Sequence, residues 1–254
     1  MEKLSDRLRR YAWVIMVHLG VVVAWQLFVV GWDVPSYVMP TPLDTLLALA
    51  DEYDWLHNTL ITAGEVFGGY VLAVTVGVGL ALLFSWSRTF ENLFMPLIVS
   101  LNMIPKVALG PLFIVWFSYG VGPNILIAFS ICFLPVLITT VRGLKEVEPD
   151  LLDLVRALRG SRWQIFTKIQ LPGALPYIFS GMKVAVVLAV AGAIVGEFIA
   201  SEEGLGYLML QVQVTLDTAA MFMAVLLITL VGVALYGIVI LLERLLVPQD
   251  ARIQ

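Results

Sequence analysis

Residues 148–172 read EPDLLDLVRALRGSRWQIFTKIQLP, and this one long polar stretch decides how the apolar runs on either side of it are read. Its first half predicts a short amphipathic helix. Pro149 suits a first helical position, where a backbone N–H has no intrahelical acceptor to lose. Leu151, Leu154, Val155 and Leu158 recur at i, i+3, i+4 and i+7 and make one apolar stripe. Asp150 and Asp153 fall near the positive end of the helix dipole, Arg156 and Arg159 near its negative end. A turn is expected at Gly160. Ser161 and Gln164 have the spacing of a capping box, opening a second short helix that carries Trp163, Phe166 and Ile169 and ends at Leu171-Pro172. Two short helices joined by a turn, set between hydrophobic spans, form a compact plug. It either projects into the grip of another protein or lies on the bilayer as an interfacial segment.

The chain has 254 residues, 60% hydrophobic and 13% charged, with a mean hydropathy of +0.95. Soluble domains carry about 25% charged residues, so the composition is that of an integral membrane protein. A net charge of −4 argues against a nucleic-acid partner. Cys132 is the lone cysteine and excludes an internal disulfide. His18 and His57 lie far apart without clustered cysteines, which argues against a zinc site. The basic N-terminus followed by an apolar run resembles a signal peptide. The run is too long for one, however, and Gly31-Trp32-Asp33-Val34-Pro35 offers no small-x-small cleavage site, so an uncleaved anchor is expected.

A spanning helix needs about 20 apolar residues. Six spans are predicted on that measure, at about 12–30, 59–84, 93–118, 124–141, 176–200 and 218–242, in one domain covering 1–254. The third holds Pro96, Pro105, Gly110 and Pro111 and is expected to be broken or kinked, which a bilayer tolerates only where protein or a water-filled cavity covers the backbone. The fold class is therefore an all-α membrane protein. Of the 15 Lys and Arg, all but Lys106 and Lys183 lie in the N-terminus, at Arg88, in the Arg142 to Lys168 region or near the C-terminus. The opposite loops carry Asp33, Asp44, Asp51, Glu52 and Asp54, and Glu202, Glu203 and Asp217. Positive-inside logic places both termini and the 142–175 loop in the cytoplasm.

Glu65, Lys106 and Glu197 fall inside spans, where a charge costs about 2.5–3.5 kcal/mol near the bilayer centre. They should face the bundle interior, a partner charge or water. Two readings stand for them: groups of a translocation pathway, or a buried Lys–Glu pair that holds the fold together. Lys183 is expected to snorkel to the interface. Gly192 and Gly196, with Ala185, Ala189 and Ala193, give the fifth span a small-residue face suited to close helix packing. Gly77-Val78-Gly79 lacks the Lys-Ser or Lys-Thr of a phosphate loop, so no ATP site is expected here.

The 148–172 stretch is similar to the cytoplasmic "EAA" loop of binding-protein-dependent ABC importer permeases. That pattern is Glu-Ala-Ala, three residues, Gly, nine residues, Ile, one residue, Leu-Pro. Ile169-Gln170-Leu171-Pro172 matches its end, Arg159 stands in the glycine slot and Asp153-Leu154-Val155 in the Glu-Ala-Ala slot. Pro40-Thr41-Pro42, Ile104 to Leu112, Trp116-Phe117, Ser161-Arg162-Trp163, Leu171 to Pro176, Gly196-Glu197-Phe198 and Gly204 to Tyr207 extend the likeness over nearly the whole chain. They resemble the nitrate/sulfonate/taurine branch, which also includes importers of pyrimidine precursors, riboflavin and aromatic carboxylates.

The resemblance implies a type I ABC importer permease of the MetI-like fold, in the bacterial inner membrane, that forms the solute pathway and is not itself an enzyme. It implies a second permease copy, two cytoplasmic ATPases holding ATP and Mg, a periplasmic or lipid-anchored solute-binding protein, and no cofactor in this chain. Asp153, Leu154, Val155, Leu158, Arg159, Gly160 and Trp163 would then form the coupling helix that docks on the ATPase. Two other classes compete: an ion-coupled secondary transporter using Glu65, Lys106 and Glu197 as a charge relay, and a membrane scaffold whose loop recruits a cytoplasmic protein.

Overall fold

The computed structural model describes residues 2–147 and 149–247; Glu148, which opens the stretch quoted above, lies outside them. The described residues are helical throughout their ordered elements, with no strand among them. In a bilayer this is the economical answer, because a helix satisfies its backbone N–H and C=O groups within one segment. Among the described residues, five helices are long and apolar enough to span a membrane, or six if one bent pair is counted as a single span. They fall into two compact units.

One unit comprises the chain up to Trp55 together with Leu208–Leu227. Helix α1 (Glu2–Gly31) contains the apolar segment Ala12–Gly31, nearly all of it exposed. After it, α2 (Pro42–Leu47) starts on a capping box: Thr41 accepts from the Asp44 backbone N–H while Asp44 accepts from that of Thr41. Pro42 occupies the first turn, where its missing N–H costs nothing. Tyr53 donates a 2.7 Å hydrogen bond to Asp217 Oδ2, and Asp217 Oδ1 accepts from Ala220 N–H at 3.0 Å in the first turn of the last helix.

The other unit runs from Leu56 to Tyr207 and resumes at Ile228. It is built on α3 (Trp55–Trp86), α4 (Arg88–Asn102), α5 (Gly110–Phe117), α6 (Val121–Lys145), α7 (Pro149–Ala157), α8 (Arg162–Ile165) and α9 (Leu171–Ala200). The start of α10 (Leu205–Val214) and the later part of α11 (Thr218–Leu246) complete it. Small residues stand in its core among larger ones such as Tyr70, Phe84, Leu137 and Phe179. Ala73 and Ala81 of α3, Ala128 and Cys132 of α6, and Ala185, Ala189 and Ala193 of α9 are fully buried. Glycines set the helix spacing. A Cβ at Gly192 would stand 2.7 Å from Ala128 Cα, and one at Gly196 would stand 2.9 Å from Asn124 Oδ1. The small face of the fifth span thus packs against α6, since backbones approach this closely only where side chains are minimal.

The third span is broken as its prolines lead one to expect. Helix α4 and the segment Lys106–Phe117 are bent by 80°. Pro105 has no N–H to offer the preceding turn and is itself extended, with ψ 113°. The fifth span differs from expectation. The helix does not stop at Leu171-Pro172 but runs through a π turn (Phe166–Gln170) into α9, with the Leu171 N–H bonded to Phe166 C=O. Pro172 cannot donate, and the wider turn before it keeps the helix continuous.

Candidate functional site

The 142–175 loop is where sequence and structure meet most closely. Helix α7 ends in a Schellman arrangement: Gly160 N–H bonds to Val155 C=O at 2.8 Å across the last turn. The left-handed residue is Arg159, at φ +58°, and not Gly160. The turn therefore sits in the slot that the EAA pattern gives to glycine, one residue before the expected position. Gly160 is needed for a different reason, because a Cβ there would run into Val155 Cγ1. The expected capping box is present, with Gln164 N–H to Ser161 Oγ at 3.2 Å and Ser161 N–H to Gln164 Oε1 at 2.7 Å.

The apolar stripe of α7 is not buried against the chain's own bundle. Leu154 is 57% exposed and Leu158 75%, with Val155 half-buried and Asp153 exposed. Trp163 on α8 meets Trp86 at the end of α3 edge-on at 6.3 Å and lies 5.7 Å from Phe166, which in turn meets Trp86 at 6.2 Å. These rings brace the loop against a spanning helix and line a cleft of about 790 Å³ that also touches Arg88 and Arg162.

The membrane-interior charges sort into three settings. Glu197 of α9 accepts from the Gly206 and Tyr207 backbone N–H groups, the latter at 3.4 Å, and from Thr62 Oγ1 at 2.5 Å. Thr62 Oγ1 in turn accepts from Leu205 N–H at 2.8 Å. The carboxylate thus caps α10 and ties it to α3 and α9. Gly204, at φ +105°, has to be glycine, because a Cβ would lie 2.5 Å from the Glu197 carboxyl carbon. Glu65 is fully buried, accepts from Asn124 Nδ2 at 2.8 Å, and lies within electrostatic reach of Glu197.

Lys106 stands apart from that pair. Its ammonium donates to the carbonyls of Leu101, Asn102 and Ile104 at 3.0–3.2 Å, closing the open end of α4 where the chain breaks. The lysine–glutamate pair is formed instead by Lys183 of α9 and Glu243 in the last turn of α11, at 2.7 Å, with Glu243 buried and Lys183 partly exposed. Thr62, Asn124, Trp86 and Glu243 carry this architecture and were not singled out by sequence. The polar residues were signalled only by being polar within long apolar runs, while Glu243 falls one residue beyond the end expected for the sixth span.

A set of spanning helices, one of them broken, with a capped helical loop projecting between two of them, defines a multi-pass membrane permease. The chain belongs to the family described as binding-protein-dependent transport system inner membrane component, whose profile matches residues 58–248, and is an ABC importer permease. The riboflavin transport system permease protein RibX of Chloroflexus aurantiacus is 33% identical to it over 99% of this chain and 97% of its own length. The formylaminopyrimidine transport permease protein ThiX of Halalkalibacterium halodurans is 29% identical, covering 87% of this chain and 92% of its own. The putative aliphatic sulfonates transport permease protein SsuC of Bacillus subtilis is also 29% identical, over 93% and 87%. A solved chain from inward facing conformations of the MetNI methionine ABC transporter has the same fold. It has a TM-score of 0.58 at 19% identity, covering 72% of this chain and 93% of that one.

Proposed function

We propose that this permease works as a homodimer in the bacterial inner membrane, with two cytoplasmic ATPase subunits and a solute-binding protein outside, and that α7 to α8 is its coupling element. The observation that carries this is the exposed Leu154 and Leu158 pair on a loop braced by Trp163 against α3. Two exposed leucines four residues apart offer an apolar ridge for another protein to cover. ATP and Mg are held by the ATPase, where hydrolysis takes place, and its closure moves the loop and the helices continuous with it. The whole chain acts as one permease domain, with its termini and the loop in the cytoplasm, a reading that the Lys and Arg excess of these segments supports. Glu65 and Glu197 belong to the interior that moves during alternating access, and Lys106 secures the break in α4.

For the solute, the resemblance puts nitrate, sulfonate or taurine first, with riboflavin, pyrimidines and aromatic carboxylates as the alternative. Two observations favour a flat nitrogen heteroaromatic of the riboflavin or pyrimidine kind. Among the described residues, both lysines of the membrane interior are engaged, Lys106 by carbonyls and Lys183 by Glu243, while Glu65 and Glu197 are acids. A small anion finds little to neutralise it there. The RibX relative also matches over almost its full length. The test is uptake in cells that express the permease with its ATPase and binding protein, using labelled riboflavin, a formylaminopyrimidine and taurine in turn. Riboflavin or pyrimidine uptake that requires ATP supports the reading; uptake of taurine alone overturns the solute assignment. Transport that persists without any ATPase overturns the ABC mechanism in favour of an ion-coupled carrier.

A further inference from the structure

We propose that the cleft between the end of α3 and the start of α8 binds the phosphate headgroup of an anionic phospholipid. The apolar run of α3 gives way at Ser85-Trp86-Ser87-Arg88, which marks the depth at which the span leaves the hydrocarbon. Tryptophan is favoured at that depth because its ring is apolar and its N–H polar. Trp86 and Trp163, both largely exposed, wall the cleft together with Phe166. Arg88 and Arg162 sit at the first positions of α4 and α8 and line the same cleft.

The charge pattern selects the ligand. Among the described residues, no aspartate or glutamate lines the cleft. Among the described residues neither Arg88 nor Arg162 has an acidic partner, whereas nearby basic groups do: Arg142 faces Glu146 at 3.9 Å and Lys145 faces Glu91 at 2.5 Å. Two guanidinium groups without carboxylates, in a space lined by aromatic rings, suit a phosphodiester, which arginine holds bidentately. A volume of about 790 Å³ is that of a site for a drug-sized molecule, far more than a free phosphate fills. One wall is the end of a spanning helix, so an occupant can keep its acyl chains in the bilayer while its headgroup meets the arginines. An anionic phospholipid is the amphiphile that supplies a phosphate at this depth. Bound there, it would stiffen the seat of Trp163 and the π turn that follows it.

The test uses the full chain purified in mixed micelles, with brominated phosphatidylglycerol or brominated phosphatidylcholine as the probe. Tryptophan quenching is read in the parent and in a Trp86→Phe/Trp163→Phe variant, and their difference isolates the two cleft rings. Phosphatidylglycerol is expected to quench that component with about tenfold greater apparent affinity. In Arg88→Gln/Arg162→Gln the preference should vanish, while Arg→Lys at both positions should keep part of it. Equal quenching by the two lipids in the parent overturns the proposal, whatever the variants do. So does a preference that survives loss of both arginines. Abolition of the preference by millimolar inorganic phosphate would assign the site to a free anion. If adding the ATPase subunit relieves quenching from both lipids equally, the cleft is a protein seat.

Discussion

Glu197 on α9 and Gly206 on α10 are joined by a carboxylate-to-amide hydrogen bond, so an acid inside the membrane region serves as the cap of the next helix. The same carboxylate takes the Thr62 hydroxyl at 2.5 Å, and both residues are buried. Glu197→Ala would strand the Gly206 N–H and the Thr62 hydroxyl in a dry setting. A loss of about 3 kcal/mol is expected. Glu197→Gln keeps the shape and one acceptor oxygen and should lose about half as much. Thermal unfolding of the purified protein in detergent checks the order: Ala below Gln below parent. An alanine variant as stable as the parent would remove the capping role.

Lys183 and Glu243 bridge α9 and α11 at 2.7 Å, with Glu243 buried and Lys183 partly so. Removing one partner leaves a charge in a poor solvent and should cost about 3 kcal/mol. Replacing both, as Lys183→Met with Glu243→Leu, should recover most of that loss, because burying an ion pair gains little over apolar packing. A double-mutant cycle on detergent stability decides. Additive losses in the double variant would show that the two side chains act independently.

Much of this arrangement was legible in the sequence, and the rest was not, for identifiable reasons. The spans, the broken third segment, the small face at Gly192 and the Ser161–Gln164 box follow from hydropathy, proline chemistry and local spacing. The role of Glu197 depends on amide groups nine and ten residues away that converge only when Gly204 turns the chain. Lys183 and Glu243 are sixty residues apart in sequence. Lys106 is satisfied by carbonyls that become free only because α4 ends there. The turn at Arg159 was displaced by one residue because glycine at 160 reads as the flexible position, whereas its use is to let Val155 pack close.

Tyr53 supplies a pH dependence outside the membrane. The hydrogen bond to Asp217, with burial and the charge of that carboxylate, pushes the phenol from about 10 up to about 12. The folded state therefore holds this proton more tightly than the unfolded chain does. Its stabilising contribution is complete below pH 10 and is lost as pH rises through 12. Tyr53→Phe should be less stable than the parent at neutral pH, and the gap should close between pH 10 and 12. Paired alkaline unfolding curves measure this. A gap that stays constant across the window would mean that the Tyr53–Asp217 bond does not carry it.

The coupling reading makes the sharpest demand on α7. Leu154 and Leu158 are exposed in the isolated chain, and burying one leucine on a partner is worth about 2 kcal/mol. Leu154→Asp or Leu158→Asp removes that gain and adds a carboxylate to be desolvated. Because neither side chain packs in this chain's core, the variants should fold and reach the membrane in normal amounts. Association with the ATPase should weaken by about a hundredfold, with solute uptake falling in parallel. Gly160→Val should also lower uptake by a different route, since its side chain collides with Val155 and displaces the turn. Co-purification of the ATPase, measured beside uptake, separates the two effects. If both aspartate variants bind the ATPase and transport normally, the loop is a passive interfacial segment and the energy enters elsewhere.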